Sequence, residues 1–216
     1  MRPITVTVGP LAAASANNIA LSQTPGGPGS LTLNGALVVA GVAILDNPRR
    51  VLITTADTTH SFTIVGLSPT GTALTETIAD NGTSVQSNLD YAKITSITMV
   101  GAGAATAAIT VGTSGVASTP WVRLDEWANA QVAMQVDVTG VVNYTIQSTL
   151  DDPNSPTNPV LPQNVVWVNT SDATAVAATG SIQTNFAYLP LYVRALLNSG
   201  AGSLSMTVVQ ASAVPY

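Results

Sequence analysis

Few residues in this chain could carry acid–base or nucleophilic chemistry. The sequence holds one histidine, His60, and no cysteine. A Ser–His arrangement would therefore depend on His60, and a thiolate nucleophile is excluded. No Gly-x-Ser-x-Gly elbow presents a serine for attack. Because His60 opens an alternating stretch typical of a strand, we interpret it as a surface or edge histidine. We predict no catalytic residue, and we expect that the protein is not an enzyme.

Two pairs of adjacent carboxylates, Asp125-Glu126 and Asp151-Asp152, are the other candidates for acid–base work. Neighbouring side chains of a strand point to opposite faces, so adjacency does not bring two carboxylates onto one substrate. Asp151-Asp152-Pro153 predicts an Asx-type turn at the start of the irregular, proline-rich segment 151–162. Calcium is an open alternative for this segment because its oxygen ligands suit that ion, but EF-hand spacing is absent. We predict no metal site and no cofactor.

The large aromatic and basic residues have a structural and a ligand-binding interpretation. Trp121, Trp127 and Trp167 could stack on a sugar, but we interpret them as packing in a core or an interface. Arg49-Arg50 follows Asp46-Asn47-Pro48 in a predicted turn. We expect the arginines to be solvated or bonded to a carboxylate, since an acidic chain is a poor setting for a phosphate site.

The composition of the chain argues against two classes of binding partner, nucleic acids and membranes. The net charge is −5 with six Lys+Arg, which argues against nucleic-acid binding. Only 8% of the residues are charged, so Ser, Thr, Asn and Gln must supply the polar surface. The longest apolar run, 36–45, is far shorter than the ~20 residues of a membrane span. The first ten residues lack a signal peptide's pattern, so we expect synthesis in the cytoplasm and no membrane partner.

Residue alternation predicts an all-β fold. Leu204, Met206 and Val208 alternate with serine and threonine, and Gln131 to Val138 alternates in the same way. A turn at Ser68–Gly71 joins two further predicted strands. No segment from 31 to 111 shows sustained helical spacing. Many short strands separated by turns indicate a sandwich or a barrel.

Two similar stretches suggest a tandem arrangement. Residues 92–111 and 191–210 each place a Gly-Ala-Gly turn between two strand patterns, which predicts two hairpins. We therefore predict two tandem antiparallel β-sandwich or barrel-like domains, 31–117 and 118–216, joined by a linker at 115–120. Residues 1–30 are predicted to form an extended N-terminal arm and linker. Such an arm could pair with the sheet edge of a neighbouring subunit or fold back on its own domain.

Two passages carry a resemblance to a known class of proteins. They are ITTADTTHSFTIVGLSPTGTALTETI at 53–78 and VVNYTIQSTLDDP at 141–153, together with the turn at 198–203. These passages resemble small virion structural proteins of tailed bacteriophages. The resemblance implies a virion role, and within it we expect a head decoration (cement) protein that binds and stabilises the shell of the major capsid protein.

The resemblance also sets the expected partners and the alternatives. It implies the major capsid protein as partner, a position on the capsid surface, and a homo-oligomer, with a trimer expected first and a dimer second. One alternative is a head–tail connector or tail component. Another is a carbohydrate-binding virion adhesin that uses the tryptophans and segment 151–162. Contacts with the shell are expected in residues 1–30 and 151–162.

Overall fold

The computed structural model describes residues 3–126 and 131–210. These residues form seventeen strands and two single-turn 3₁₀ helices, Pro162–Asn164 and Ala173–Ala175. The strands of the first half are β1 (Ile4–Val8), β2 (Ser15–Gln23), β3 (Gly29–Ser30), β4 (Val38–Val39), β5 (Val42–Thr55), β6 (Ser61–Leu67), β7 (Ala73–Ala79), β8 (Ser84–Gln86), β9 (Tyr91–Val100) and β10 (Ile109–Ser118).

The strands of the second half are β11 (Val122–Arg123), β12 (Val132–Thr139), β13 (Val142–Thr149), β14 (Val168–Asn169), β15 (Ile182–Phe186), β16 (Tyr192–Gly200) and β17 (Ser203–Gln210). The prediction of an all-β protein built from antiparallel sheets is confirmed. The chain packs as two compact units. The first unit comprises residues 12–115, and the second unit comprises the residues up to Leu11 together with those from Val116 onward.

The first unit is organised around its long central strands. The strand order is β10-β5-β9-β6-β7; β2 pairs with β10, β3 with β9, and both β4 and β8 with β5. Alternation on β6 buries Phe62 and Ile64 among the apolar side chains of β5 and β9, including Ile53 and Ile97. The hairpin of β6 and β7 is confirmed: the Gly71 N–H donates to the Ser68 carbonyl, and Phe62 pairs with Ile78.

The second unit has sandwich-like character. One four-stranded sheet has the order β1-β17-β12-β15, and β13 pairs with β14 and β16 in another layer. Met134 and Met206 of the first layer share a core with Tyr144, Ile146 and Leu197 of the other. The predicted alternation on β17 is confirmed, because Leu204, Met206 and Val208 are buried there.

Both predicted closing hairpins are wrong. Strand β9 pairs with β5 and β6, whereas β10 lies on the other side of β5. Strand β16 pairs with β13, whereas β17 pairs with β12 along eight residues, from Thr139↔Ser203 to Val132↔Gln210. A glycine-rich turn between two amphipathic strands is compatible with two outcomes. The second strand can pair with the first as a hairpin, or it can pair with a different strand. Alternation determines which face is buried but not which strand is the partner.

The predicted N-terminal arm and the predicted linker both contain residues that belong to β-sheets. Strand β1 pairs with β17 from Ile4↔Val208 to Val8↔Leu204, and β2 pairs with β10. Strand β2 therefore pairs within the first unit, whereas β1 pairs with a strand of the second unit. The predicted linker at 115–120 is strand as far as Ser118, because β10 continues without a break.

Candidate functional site

The sole histidine lies in a buried pair with an aspartate, so its interpretation as a surface histidine is wrong. His60 is 5% exposed and Asp57 is fully buried. The Nδ1 atom of His60 lies 2.9 Å from Oδ2 of Asp57. The pair is formed by the short connection between β5 and β6, where the chain reverses just before the core strand that begins at Ser61. The unit's only imidazole is thus removed from solvent.

Asp57 is the centre of a larger hydrogen-bond network. Its Oδ1 accepts from the backbone N–H of Thr59 at 2.7 Å and from the Thr59 hydroxyl at 2.8 Å. Its Oδ2 accepts from the backbone N–H of Thr106 at 2.8 Å. Thr106 lies on the connection between β9 and β10, far from Asp57 in sequence. The carboxylate therefore ties two connections of the first unit together.

The surroundings favour the charged forms of both partners. Burial by itself raises the pKa of Asp57, but the hydrogen bonds from Thr59, Thr106 and His60 outweigh it and hold that pKa well below its ordinary value. The hydrogen bond to Asp57 raises the pKa of His60 against the opposing effect of burial. Both shifts favour the ion-paired state, in which Asp57 is ionised and His60 is protonated.

The connection between β9 and β10 closes over the imidazole. A Cβ atom at Gly101 would lie 2.7 Å from Cδ2 of His60. The backbone carbonyls of Ala102 and Gly103 lie close enough to raise the pKa of His60, although no described residue makes a hydrogen bond of good geometry with Nε2. The side chain of His60 is 1% exposed and is therefore shielded from solvent. The pair is placed to brace two connections of the first unit.

A second buried charge lies in the same unit. Arg49 is 1% exposed, which contradicts a solvated position, and it lies within β5 and not in a turn. Its guanidinium donates through Nε and Nη2 to the Ser114 carbonyl and through Nη1 to the Ala12 carbonyl at 3.0 Å. It also contacts the Asp46 carboxylate at 3.1 Å, so the alternative of a carboxylate partner is confirmed. Every one of these contacts joins segments of the first unit, which makes Arg49 a structural cross-link.

The carboxylates of segment 151–162 accept hydrogen bonds both from within the segment and from residues outside it. The predicted Asx-type turn is confirmed, because Asp152 Oδ1 accepts from the backbone N–H of Asn154 at 2.8 Å. Asp151 Oδ2 accepts from the backbone N–H of Val166 at 2.7 Å. Asp152 also accepts from the Tyr192 hydroxyl at 3.2 Å and from Arg123 at 3.4 Å. Across residues 3–126 and 131–210, no group of three or more His, Asp or Glu side chains is placed to hold a metal ion.

The tryptophans are used for packing where the structure describes them. Trp121 and Trp167 meet edge to face, with ring centroids 5.0 Å apart. Arg194 lies over the Trp167 ring at 4.2 Å and donates to Gln147 through both Nε and Nη2. The third tryptophan, Trp127, lies outside the described residues. Trp167 therefore has a guanidinium on its ring and an indole at its edge, an arrangement that braces β16 against the segment before β14.

Large apolar side chains are exposed on the segment that follows β13. Four of them are more than half exposed: Leu150 (70%), Leu161 (56%), Val166 (65%) and Val168 (56%). The backbone beneath them is braced, because the Val160 N–H donates to the Asp152 carbonyl at 3.0 Å and Val168 pairs with Ser148 on β13. We name residues 150–168 the apolar segment. It exposes four large apolar side chains to solvent at separate positions along a partly polar segment.

No model of a known protein family matches the chain, and no curated protein matches it significantly. In the described part of the chain, no helix has the length and apolar character needed to cross a membrane.

Sequence reasoning missed Asp57, Thr106 and Arg194. A local signal existed for Asp57, since Asp-x-Thr often forms a turn in which the carboxylate accepts from the threonine, and the histidine follows directly. No local signal pointed to Thr106 or Arg194, because their partners Asp57 and Gln147 lie 49 and 47 residues away.

Proposed function

We propose that this protein is a virion structural protein of a tailed bacteriophage, and more specifically a head decoration protein that binds and stabilises the shell of the major capsid protein. The observation that carries the proposal is the apolar segment, on which four large apolar side chains are more than half exposed. The resemblance of residues 53–78 and 141–153 to virion proteins supplies the biological setting.

The bracing of the apolar segment favours binding. Hydrogen bonds from Val166 to Asp151 and from Asn154 to Asp152 restrain its backbone at two points. A surface that is already ordered loses less conformational entropy on binding than a flexible loop. The apolar segment is therefore suited to repeated contact with a fixed lattice.

The charges near the apolar segment are already paired within the chain. Arg123 contacts Glu126 at 2.8 Å and Asp152 at 3.4 Å. Paired charges and a low overall charge reduce the desolvation cost of close contact with another protein. This favours a protein surface as the partner over a polyanion.

Decoration gains strength from repetition, so we propose that the protein is a homo-oligomer, a trimer first and a dimer second. An oligomer that contacts several capsid subunits raises the effective concentration of each further contact. Light scattering on the purified protein tests this point. A strict monomer away from the capsid would contradict the oligomer without excluding shell binding.

The direct test is binding of purified protein to emptied, mature-shaped capsids, followed by quantitative counting of copies per particle. Decoration predicts on the order of hundreds of copies spread over the shell, whereas a head–tail connector predicts a ring of about six or twelve. If the protein were found only at the tail vertex, the decoration hypothesis would be wrong and the head–tail connector or tail alternative would be favoured.

A carbohydrate-binding adhesin is a second candidate, and one observation favours it. The sheet β1-β17-β12-β15 carries an open groove of about 420 Å³ whose lining combines apolar side chains with uncharged polar ones, among them Gln135, Gln183, Asn185 and Thr207. Amide groups suit sugar hydroxyls, although the groove lacks the aromatic platform that the sequence suggested. Glycan binding that is lost in Gln183→Ala and kept in Val39→Ser would favour this alternative over decoration.

A further inference from the structure

We propose that Asp57 and His60 form a protonation-dependent clasp that holds the connection between β9 and β10, and that the clasp loosens when His60 loses its proton. The inference is independent of the proposed virion role. It rests on the burial of both side chains, the 2.9 Å contact between them, and the position of Gly101, where an added Cβ would lie 2.7 Å from Cδ2 of the imidazole. We name the hydrogen-bonded set Asp57, Thr59, His60 and Thr106 the clasp.

The two protonation states of His60 interact differently with Asp57. In both states Nδ1–H can donate to Asp57. In the imidazolium, the ring also carries a positive charge 2.9 Å from the buried carboxylate, so the contact is an ion pair. In the neutral ring, that contact is a hydrogen bond without the opposite charge. Deprotonation thus removes the attraction that offsets the buried charge of Asp57, the residue that holds the Thr106 N–H on the connection beside the ring.

The charged groups around His60 are few. Asp57 contacts the ring directly. Asp80, just after β7, donates its backbone N–H to the His60 carbonyl at 3.1 Å. Thr59, Gly101 and Thr106, which also lie beside the pair, have no side chain that titrates in this range. His60 is therefore the group of the clasp whose charge changes between neutral and alkaline pH.

The sign of the pH dependence follows from the direction of the shift. The pKa of His60 is raised above the ordinary 6.5 in the folded protein. Its contribution to stability is therefore fully present below pH 6.5 and is lost as the pH rises through the raised value. Asp57 stays ionised throughout this window, because its pKa is lowered. The clasp is closed in mild acid and loosens at higher pH.

The wild-type protein allows an unambiguous test because His60 is the only histidine. An NMR titration gives its pKa, and amide hydrogen exchange gives the protection of the Thr106 N–H over the same pH range. The matched control is the Thr174 N–H, which donates to Asp172 Oδ1 at 2.9 Å in a turn whose carboxylate contacts threonines. After correction for base-catalysed exchange, the Thr106/Thr174 protection ratio should fall about tenfold for each unit by which the His60 pKa exceeds 6.5.

Two outcomes would overturn the clasp. One is a His60 pKa at or below 6.5; the other is a protection ratio that stays constant while His60 titrates. A His60→Gln variant adds an independent arm, since glutamine cannot change charge and should give a ratio that is flat with pH. A variant that keeps the wild-type pH dependence would assign the effect to another group. If the variant does not fold, the wild-type titration decides.

Discussion

Two turns of the same local type lie in different units and have different surroundings. In Asp57-Thr58-Thr59 and in Asp172-Ala173-Thr174, the aspartate Oδ1 accepts from both the backbone N–H and the hydroxyl of the threonine two residues later. The second oxygen of Asp172 accepts from the Thr184 hydroxyl at 2.6 Å, whereas that of Asp57 contacts a buried histidine and a distant backbone N–H. The local pattern makes the turn, and the packing around it decides whether the carboxylate belongs to a titrating pair.

Replacing each aspartate by asparagine gives the largest expected contrast. Asp57→Asn removes the charge that offsets buried His60 and weakens the links to Thr106, so we expect a large loss of unfolding free energy. Asp172→Asn keeps most of the turn, and its carboxyl pKa is lowered by threonine hydrogen bonds in a far less buried setting. We expect a much smaller loss there. Urea unfolding measures both. If both variants lost the same unfolding free energy, the buried contact with His60 would contribute nothing to stability beyond the turn itself.

The enclosure of His60 can be tested by two glycines of one connection. Both Gly101 and Gly103 have positive φ, +145° and +86°, but only a Cβ at Gly101 meets His60, at 2.7 Å from Cδ2. We expect Gly101→Ala to cost about 3 kcal/mol from strain and overpacking, and Gly103→Ala about 1 kcal/mol from the backbone alone. Thermal or urea unfolding compares them. If Gly101→Ala destabilised the protein no more than Gly103→Ala does, the connection would not lie against the His60 ring.

Acid titration separates the two aspartates by a smaller effect. Both pKa values are lowered from the ordinary 3.8, so the contribution of each carboxylate is present above pH 3.8 and is lost as the pH falls through its lowered value. Asp57 has the larger shift. Wild-type stability should therefore fall on acidification below pH 3.8. That fall should be clearly reduced in Asp57→Asn and only slightly reduced in Asp172→Asn, as measured by unfolding at stepwise lower pH. The reverse order would contradict the assignment.

A surface pair should leave stability almost unchanged. Val166 lies on the apolar segment and Val39 lies on β4, and they are 65% and 63% exposed. Val166→Asp and Val39→Asp should each change the unfolding free energy by less than about 0.5 kcal/mol, because neither side chain is in a core. Only Val166→Asp should weaken binding to emptied capsids. Similar weakening by both variants would point to a general effect of added charge.

The sequence predicted the buried faces of strands and the positions of turns better than it predicted which strands and side chains contact one another. The burial of Leu204, Met206 and Val208 follows from alternation alone, and the turn at Asp152 follows from its own neighbours. The pairing partner of β17 could not be predicted from the sequence. Strand β16 is adjacent in sequence, but the actual partner, β12, lies far away along the chain and pairs with β17 over eight residues. The buried state of His60 depends on Gly101 and Thr106, which no spacing rule connects to it. Likewise Arg49 reads as a turn residue until Ser114 and Ala12 are placed beside it.

The difference between the units suggests a division of tasks. Asp57 and His60 of the first unit are buried and hold its connections, whereas the second unit exposes its apolar segment to solvent. On this account function depends on a surface and not on an acid–base group. Substitutions in the clasp should therefore act on capsid binding only as far as they act on folding.

Incubation of the purified protein with emptied, mature-shaped capsids, followed by reconstruction of the particles, tests the proposed function most directly. The account predicts density for this chain repeated over the shell, with the apolar segment against the major capsid protein and occupancy reduced in Val166→Asp. Folded protein that leaves such capsids bare, with labelled virions showing it only at the tail vertex, would contradict it.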